Sequence, residues 1–226
     1  MLDVVYEDNH VVVVLKPQNV PSQEDSSGDL DMLNMVKEYV KEKYNKPGNV
    51  FIGLVHRLDR PTGGLMAFAR TSKAASRLTE EIQSGDFEKT YFAITCGIPR
   101  EKQGRLTHYL KKDEKNNIVE IVPKLEKGAK EASLLYKVLE TYGDKYALVE
   151  VNLLTGRSHQ IRVQMAAIGC PLFGDVKYNG RAAGKNLALW ATKLEFLHPT
   201  TKDRLVFKSY PPEMEPWKSF KIEKYI

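Results

Sequence analysis

Between two apolar stretches, Phe51 to Val55 and Leu65 to Ala69, lies the run His56-Arg57-Leu58-Asp59-Arg60-Pro61-Thr62-Gly63-Gly64. It gathers an imidazole, two guanidinium groups and a carboxylate, followed by Pro61 and two glycines. Pro61 sets a turn, and Gly63-Gly64 permit close backbone approach or positive φ. A carboxylate held on such a turn at a strand end is well placed to face a cleft, and loops braced by rigid elements are where catalytic groups concentrate. Ionised, Asp59 would serve as a nucleophile or as a proton acceptor. The commoner use of such a turn is structural, with Asp59 paired to Arg57 or Arg60 at the surface, and residue pattern alone favours that use. A kinase-like reading of His-Arg-Leu-Asp fails, because no glycine-rich nucleotide loop precedes it and no Asp-Phe-Gly comes after it.

Two more segments carry groups of interest. In Phe87-Glu88-Lys89-Thr90-Tyr91-Phe92-Ala93, Tyr91 is an aromatic on a strand, for which cross-strand packing is the simplest role. In Leu154-Thr155-Gly156-Arg157-Ser158-His159-Gln160-Ile161-Arg162-Val163, a helix would align Ile161, Met165 and Ile168 as one apolar stripe with Arg162 at its edge. Half buried there, Arg162 would need a carboxylate partner. The alternative is that its stem covers the core while its head stays wet.

The elements that must position these residues can be read from periodicity. Val11 to Leu15 is a buried strand ended by Lys16-Pro17, and Leu30, Leu33, Val36 and Val40 mark an amphipathic helix ending near Asn45-Lys46-Pro47-Gly48. Ser72 is placed to cap a helix reaching Ser84-Gly85, and Lys89 to Cys96 reads as a strand. Beyond it the pattern is strand-rich: Leu106 to Leu110, Ile118 to Val122, Ala132 to Leu139, Ala147 to Leu154, Leu187 to Leu194 and Arg204 to Phe207. One helix interrupts these, capped by Ser158 and stopped by Gly169 and Pro171. Many strands with few helices between them predict an α+β fold, a mixed, largely antiparallel sheet with flanking helices.

With 226 residues and 42% hydrophobic content, the chain is long enough for one large domain or two tightly merged lobes. No signal peptide or membrane-spanning stretch is legible, and only Cys96 and Cys170 are present, so neither a disulfide framework nor a zinc knuckle is suggested. A reducing cytoplasm suits that composition. A net charge of +5 permits an anionic partner such as nucleic acid without requiring one.

Taken in order, the motifs resemble the RluA family of RNA pseudouridine synthases. Residues 56–65 resemble the family signature His-Arg-Leu-Asp-x-x-Thr-Ser-Gly-Leu, with Gly63 in the place of Ser, a residue small enough to keep the turn. Lys89-Thr90-Tyr91-Phe92-Ala93 is similar to the second motif, Lys-x-Tyr-x-Ala. Gly156-Arg157-Ser158-His159-Gln160-Ile161-Arg162-Val163 is similar to the third motif, and Gly169 to Asp175 resembles the family's next turn, Gly-x-Pro-Ile-x-Gly-Asp. Glu7-Asp8-Asn9-His10 through Lys16-Pro17 resembles the family's opening strands, so the likeness spans nearly the whole chain.

The resemblance implies a single catalytic domain over residues 1–226, with no separate N-terminal RNA-binding module, and an isomerase that turns uridine into pseudouridine by base flipping. It implies that Asp59 is the essential carboxylate, that Arg57 fills the place of the extruded base, that Tyr91 lies against the flipped uracil, and that Arg162 pairs with Asp59. The reaction has no redox step, so no cofactor and no metal are expected. The expected partner is structured RNA, an rRNA or tRNA stem-loop, met by a cytoplasmic monomer with no membrane attachment. Lys111, Lys112 and Lys115 would contact phosphates or simply form a solvated charged loop. Two rival readings are a non-catalytic RNA-binding protein on the same scaffold and an aspartyl-nucleophile hydrolase. Intact Asp59, Tyr91 and Arg162 argue against the first, and the missing metal-binding carboxylate cluster argues against the second.

Overall fold

The β-branched run after Asn9 forms a strand with no polar face, and the fold grows around it. A computed structural model of the chain describes residues 2–179 and 186–226. Strand β1 (Asp3–Glu7) pairs antiparallel with β2 (Val11–Lys16), which pairs antiparallel with β4 (Gly63–Ala69). Every residue of β4 is buried, and so are Val11 to Val14, as expected of strands covered on both faces. The short β3 (Gly53–Leu54) lies along β4, and β10 (Leu189–Leu197) carries β11 (Arg204–Lys208).

Two helices accompany these strands. Helix α1 (Met32–Lys43) starts at Asp31, whose carboxylate accepts from the Asn34 amide at 3.1 Å. It buries Met32, Val36 and Val40. Helix α2 (Ser72–Ser84) is capped by Thr71, one residue before the expected Ser72, and ends on Gly85 at φ 90°. Its Ala74 and Leu78 join Val11, Val13, Leu65, Ala67, Phe87 and Phe196 in one core.

The chain divides into two compact units, the first running to Lys89 and regaining Ala191–Ser209, the second comprising Thr90–Trp190 and Tyr210–Ile226. In the second unit the strands β5 (Glu88–Cys96), β9 (Tyr146–Leu153), β8 (Lys130–Tyr142), β6 (Gln103–Asp113) and β7 (Ile118–Ile121) pair in that order, each antiparallel to the next. Helix α3 (Gln160–Ala167) packs on β6 and β7. The architecture is therefore α+β, a mixed, largely antiparallel strand arrangement with three α-helices among the described residues. Among the described residues no helix is long and apolar enough to cross a membrane.

Three local expectations need correction. The apolar stretch from Phe51 to Val55 yields only a two-residue strand, with Phe51 itself half exposed. Leu30 precedes α1 and is 66% exposed, because Asp31 opens the helix after it. Ser158 does not cap α3: the position is taken by His159 in the left-handed region at φ 49°, with no side-chain cap. Gln160 instead ties the helix to the segment before it, its Oε1 accepting from the Arg157 amide at 3.0 Å and from Thr155 Oγ1 at 2.8 Å.

The register of β2 on β4 sets Lys16 opposite Gly64, at the mouth of the Asp59 turn. Gly64 has φ 116°, and a Cβ there would stand 2.4 Å from the Ala191 carbonyl oxygen. No side chain fits and no L-residue favours that backbone. Gly64→Ala should lower the unfolding free energy by more than about 2 kcal/mol. Urea denaturation measures it, and a loss under about 1 kcal/mol would show that the two backbones part easily.

Candidate functional site

Burial alternates along the first motif: His56 and Leu58 are buried, Arg57 and Arg60 are exposed, and Asp59 is half-buried. Arg57 and Asp59 thus share the outward side of the segment, which the two-residue spacing anticipates. The inward side is anchored. His56 Nε2 accepts from the Ala67 amide at 3.0 Å, so the ring carries its proton on Nδ1. Burial, helped by the charge of Lys89, pulls the imidazole down to about 3. His56 is therefore a neutral structural group at physiological pH. The Leu58 amide donates to Ser22 Oγ at 3.1 Å, and that hydroxyl donates back to the Leu58 carbonyl at 2.7 Å.

The turn itself closes through the Thr62 amide on the Asp59 carbonyl at 2.9 Å. Lys16 underlies it, fully buried, its Nζ donating to the carbonyls of Pro17 at 3.0 Å, Arg60 at 2.9 Å and Thr62 at 2.7 Å. Gln18 Nε2 donates to the Pro61 carbonyl at 3.1 Å. Arg60 turns away to Asp29, to Asp25 at 3.6 Å and to the Asn19 carbonyl at 3.1 Å. Arg57 makes no hydrogen bond or ion pair among the described residues. The surface-turn reading, in which one of these arginines serves Asp59, is thus not what Arg60 does.

Lys16 was missed as a site residue, although it falls on the same strand face as the buried Val12 and Val14. Desolvation is the largest influence on its ammonium and pulls it down to about 7; the negative charge of Asp59 opposes this and Arg60 adds to it.

The other named residues lie in the second unit. Tyr91 is 5% exposed on β5, opposite Val151 of β9. Beside it in sequence, Thr90 Oγ1 donates to Asn152 Oδ1 at 2.8 Å. Arg162 is 3% exposed and its head is not in water. Its Nε and Nη2 donate to Asp175 Oδ2 and Oδ1 at 2.7 and 2.8 Å, a bidentate pair that takes two of five guanidinium donors. Its Cζ also sits 5.3 Å from the centre of the Tyr178 ring. The carboxylate demanded by burial is therefore present, and within this unit it is Asp175, a residue to which the sequence assigned no role.

Helix α3 is not amphipathic, since Gln160 through Met165 are all buried. The Gln164 Nε2 donates to the carbonyls of Leu106 at 3.3 Å and Ala132 at 3.2 Å, while its Oε1 is buried with no partner among the described residues. Lys111 pairs with Glu126 at 2.6 Å and Lys112 with Glu114, so two of the three candidate phosphate contacts are occupied by acidic neighbours. Among the described residues no group of three or more His, Cys, Asp or Glu gathers as a metal site.

Residues 10–167 match the family described as RNA pseudouridylate synthase, a span that takes in Arg57, Asp59, Tyr91 and Arg162. The chain belongs to this family, in its RluA branch. It is 35% identical over 216 residues to the dual-specificity RNA pseudouridine synthase RluA of Pasteurella multocida, covering 93% of both chains. It is 31% identical over 218 residues to the RNA pseudouridine synthase YhcT of Bacillus subtilis, covering 95% of this chain and 70% of that one. A solved human protein, RNA pseudouridylate synthase domain containing 4, shares the fold with a TM-score of 0.78 at 24% identity, covering 93% of this chain and 88% of its own. Membership in this family makes the chain an isomerase and disfavours the non-catalytic and hydrolytic rivals.

Lys16 generates a pH dependence of known sign. An amine lowered in the fold stays protonated in the unfolded chain, so above about pH 7 unfolding takes up a proton. Stability should rise from pH 7 to pH 9 with a slope approaching about 1.4 kcal/mol per pH unit relative to Lys16→Met. Urea titrations across that range decide it, and parallel curves for parent and variant would refute the buried-amine reading.

Proposed function

We propose that this pseudouridine synthase isomerises a uridine within structured rRNA or tRNA, extruding the base and using Asp59 as its catalytic carboxylate. The uracil N1–C1′ bond breaks, the base rotates, and a C5–C1′ bond forms; the proton leaving C5 is matched by one gained at N1. Nothing is oxidised, and no cofactor is required by the balance. Arg57 enters the stack in place of the base, Tyr91 stacks against the free uracil, and Arg162 pairs with Asp59 to keep it ionised and oriented. The enzyme is proposed to act as a cytoplasmic monomer.

What carries the reading is the outward carboxylate of Asp59 on a turn held from beneath by Lys16, Gln18 and Ser22, in a chain of this family. A preorganised carboxylate loses little on orienting for attack or proton transfer. The exposed Arg57 beside it is a long planar cation whose head has no competing partner among the described residues. Such a group suits the gap left by a flipped base, whose extrusion costs roughly a few kcal/mol.

Asp59→Asn keeps the shape of the side chain and removes its charge. Pseudouridine mapping in RNA treated with purified protein should show turnover lowered by more than about a thousandfold, with the melting temperature and RNA affinity of the parent. Turnover within tenfold of the parent would remove Asp59 from the mechanism.

Arg57→Ala should slow single-turnover conversion of a stably paired target far more than that of a mismatched, already unstacked one. Equal losses on both substrates would assign Arg57 to bond making or to Asp59 orientation instead.

A further inference from the structure

The second unit contains a concavity that uses none of the residues assigned above. It is half open and offers about 350 Å³, a size suited to one nucleobase with its ribose, and its lining includes Tyr142, Tyr146, Phe173, Phe220, Glu215 and Ser219. Tyr142 and Tyr146 face each other across the hairpin that joins β8 to β9. The rings of Tyr142 and Phe220 meet edge to face at 6.2 Å, and those of Tyr146 and Phe173 at 5.8 Å. Tyr142 is 55% exposed, which leaves its ring open to another flat group. At one wall Ser219 Oγ donates to Glu215 Oε2 at 2.9 Å, which orients the carboxylate. Glu215 Oε1 has no hydrogen-bond partner among the described residues.

We propose that this pocket binds an unpaired guanosine of the RNA substrate, distinct from the uridine that is modified. The proposal rests on the synthase reading for the identity of the RNA, and on the pocket's chemistry for the base. Aromatic faces stack any base, so they supply affinity without discrimination. Discrimination comes from Glu215. Guanine alone presents two adjacent donors, N1–H and the exocyclic amine, which match a carboxylate. Adenine and cytosine set an acceptor beside their amine, and uracil flanks its N–H with two carbonyls. Phosphates are provided for as well: exposed Lys145, Lys218 and Lys221 are the chain neighbours of lining residues Tyr146, Ser219 and Phe220. Those lysines also argue against a quaternary ammonium, the other flat-walled, carboxylate-backed ligand class.

The test measures binding of the labelled pentaribonucleotides UUGUU and UUAUU to the full chain by fluorescence anisotropy at low salt. The parent should prefer UUGUU by about tenfold, the worth of one matched bidentate contact. Glu215→Gln should bring the two within about twofold by weakening UUGUU alone. Tyr142→Ala, at a largely exposed position, should weaken both by about fivefold or more. Equal binding of the two pentamers by the parent, or an undiminished preference in Glu215→Gln, would overturn the guanosine site. Free GMP competing at the same concentration as UUGUU would make it a free-nucleotide site and overturn the RNA assignment. Displacement of UUGUU by choline would do the same in favour of a cation site. Uridine conversion of cellular RNA is assayed in parallel, so failure of the synthase reading shows as absent pseudouridine and failure of this one as absent guanine preference.

Discussion

A fully buried lysine holds the Asp59 turn. Burying an ammonium is costly unless its hydrogen bonds are replaced, and Lys16 replaces them with three carbonyls, two of which belong to the turn. Moving the turn would strand those donors in a dry interior, so the backbone of Arg60 and Thr62 is tied to the end of β2. The opposite requirement operates one residue pair away. Gly64, in register with Lys16, must lack a side chain because the Ala191 backbone occupies the space. A long buried side chain and an absent one therefore act as two halves of one fastening. Asp59 projects from it on the outward side, with Arg57 two residues before it.

The second unit uses a carboxylate where the first uses carbonyls. Arg162 and Asp175 are both nearly inaccessible, and their fork-to-fork geometry satisfies the charges that burial would otherwise penalise. This helps α3 to be buried from Gln160 to Met165 without being apolar: the Gln160 side chain meets an amide and a carbonyl, Arg162 a carboxylate and the Gln164 nitrogen carbonyls, with the Gln164 Oε1 left unmatched among the described residues. Arg57 and Arg162 show the same side chain in opposite settings. One is exposed at the surface; the other is buried and locked by a carboxylate.

The strand-rich order, the α+β class and the motif residues were legible from the residues alone, because each depends on spacing along a few neighbouring positions. Arg57 is exposed and Asp59 half-buried on either side of the buried Leu58. The run from Val11 to Leu15 was readable as a buried strand, yet the same parity already put Lys16 beside Val12 and Val14. That lysine was passed over because a charge at a strand end is ordinarily solvated. Ser158 misled in the other direction: a good capping residue lost its position to His159, which takes the left-handed region and offers no side-chain cap.

What the sequence by itself determined is therefore local and chemical: the elements, the family, and the carboxylate, arginines and tyrosine in its motifs. Tertiary structure alone decided the partners. Asp175 lies beyond Arg162 across a loop whose path no periodicity predicts, and the turn carbonyls that receive Lys16 are more than forty residues away in sequence. The same holds for the aromatic pocket, whose walls come from a hairpin, a loop after α3 and the C-terminal segment. Periodicity reports which way a side chain points from its own strand or helix. Which distant group waits there depends on register and packing, and on the cost of leaving a buried charge unmatched.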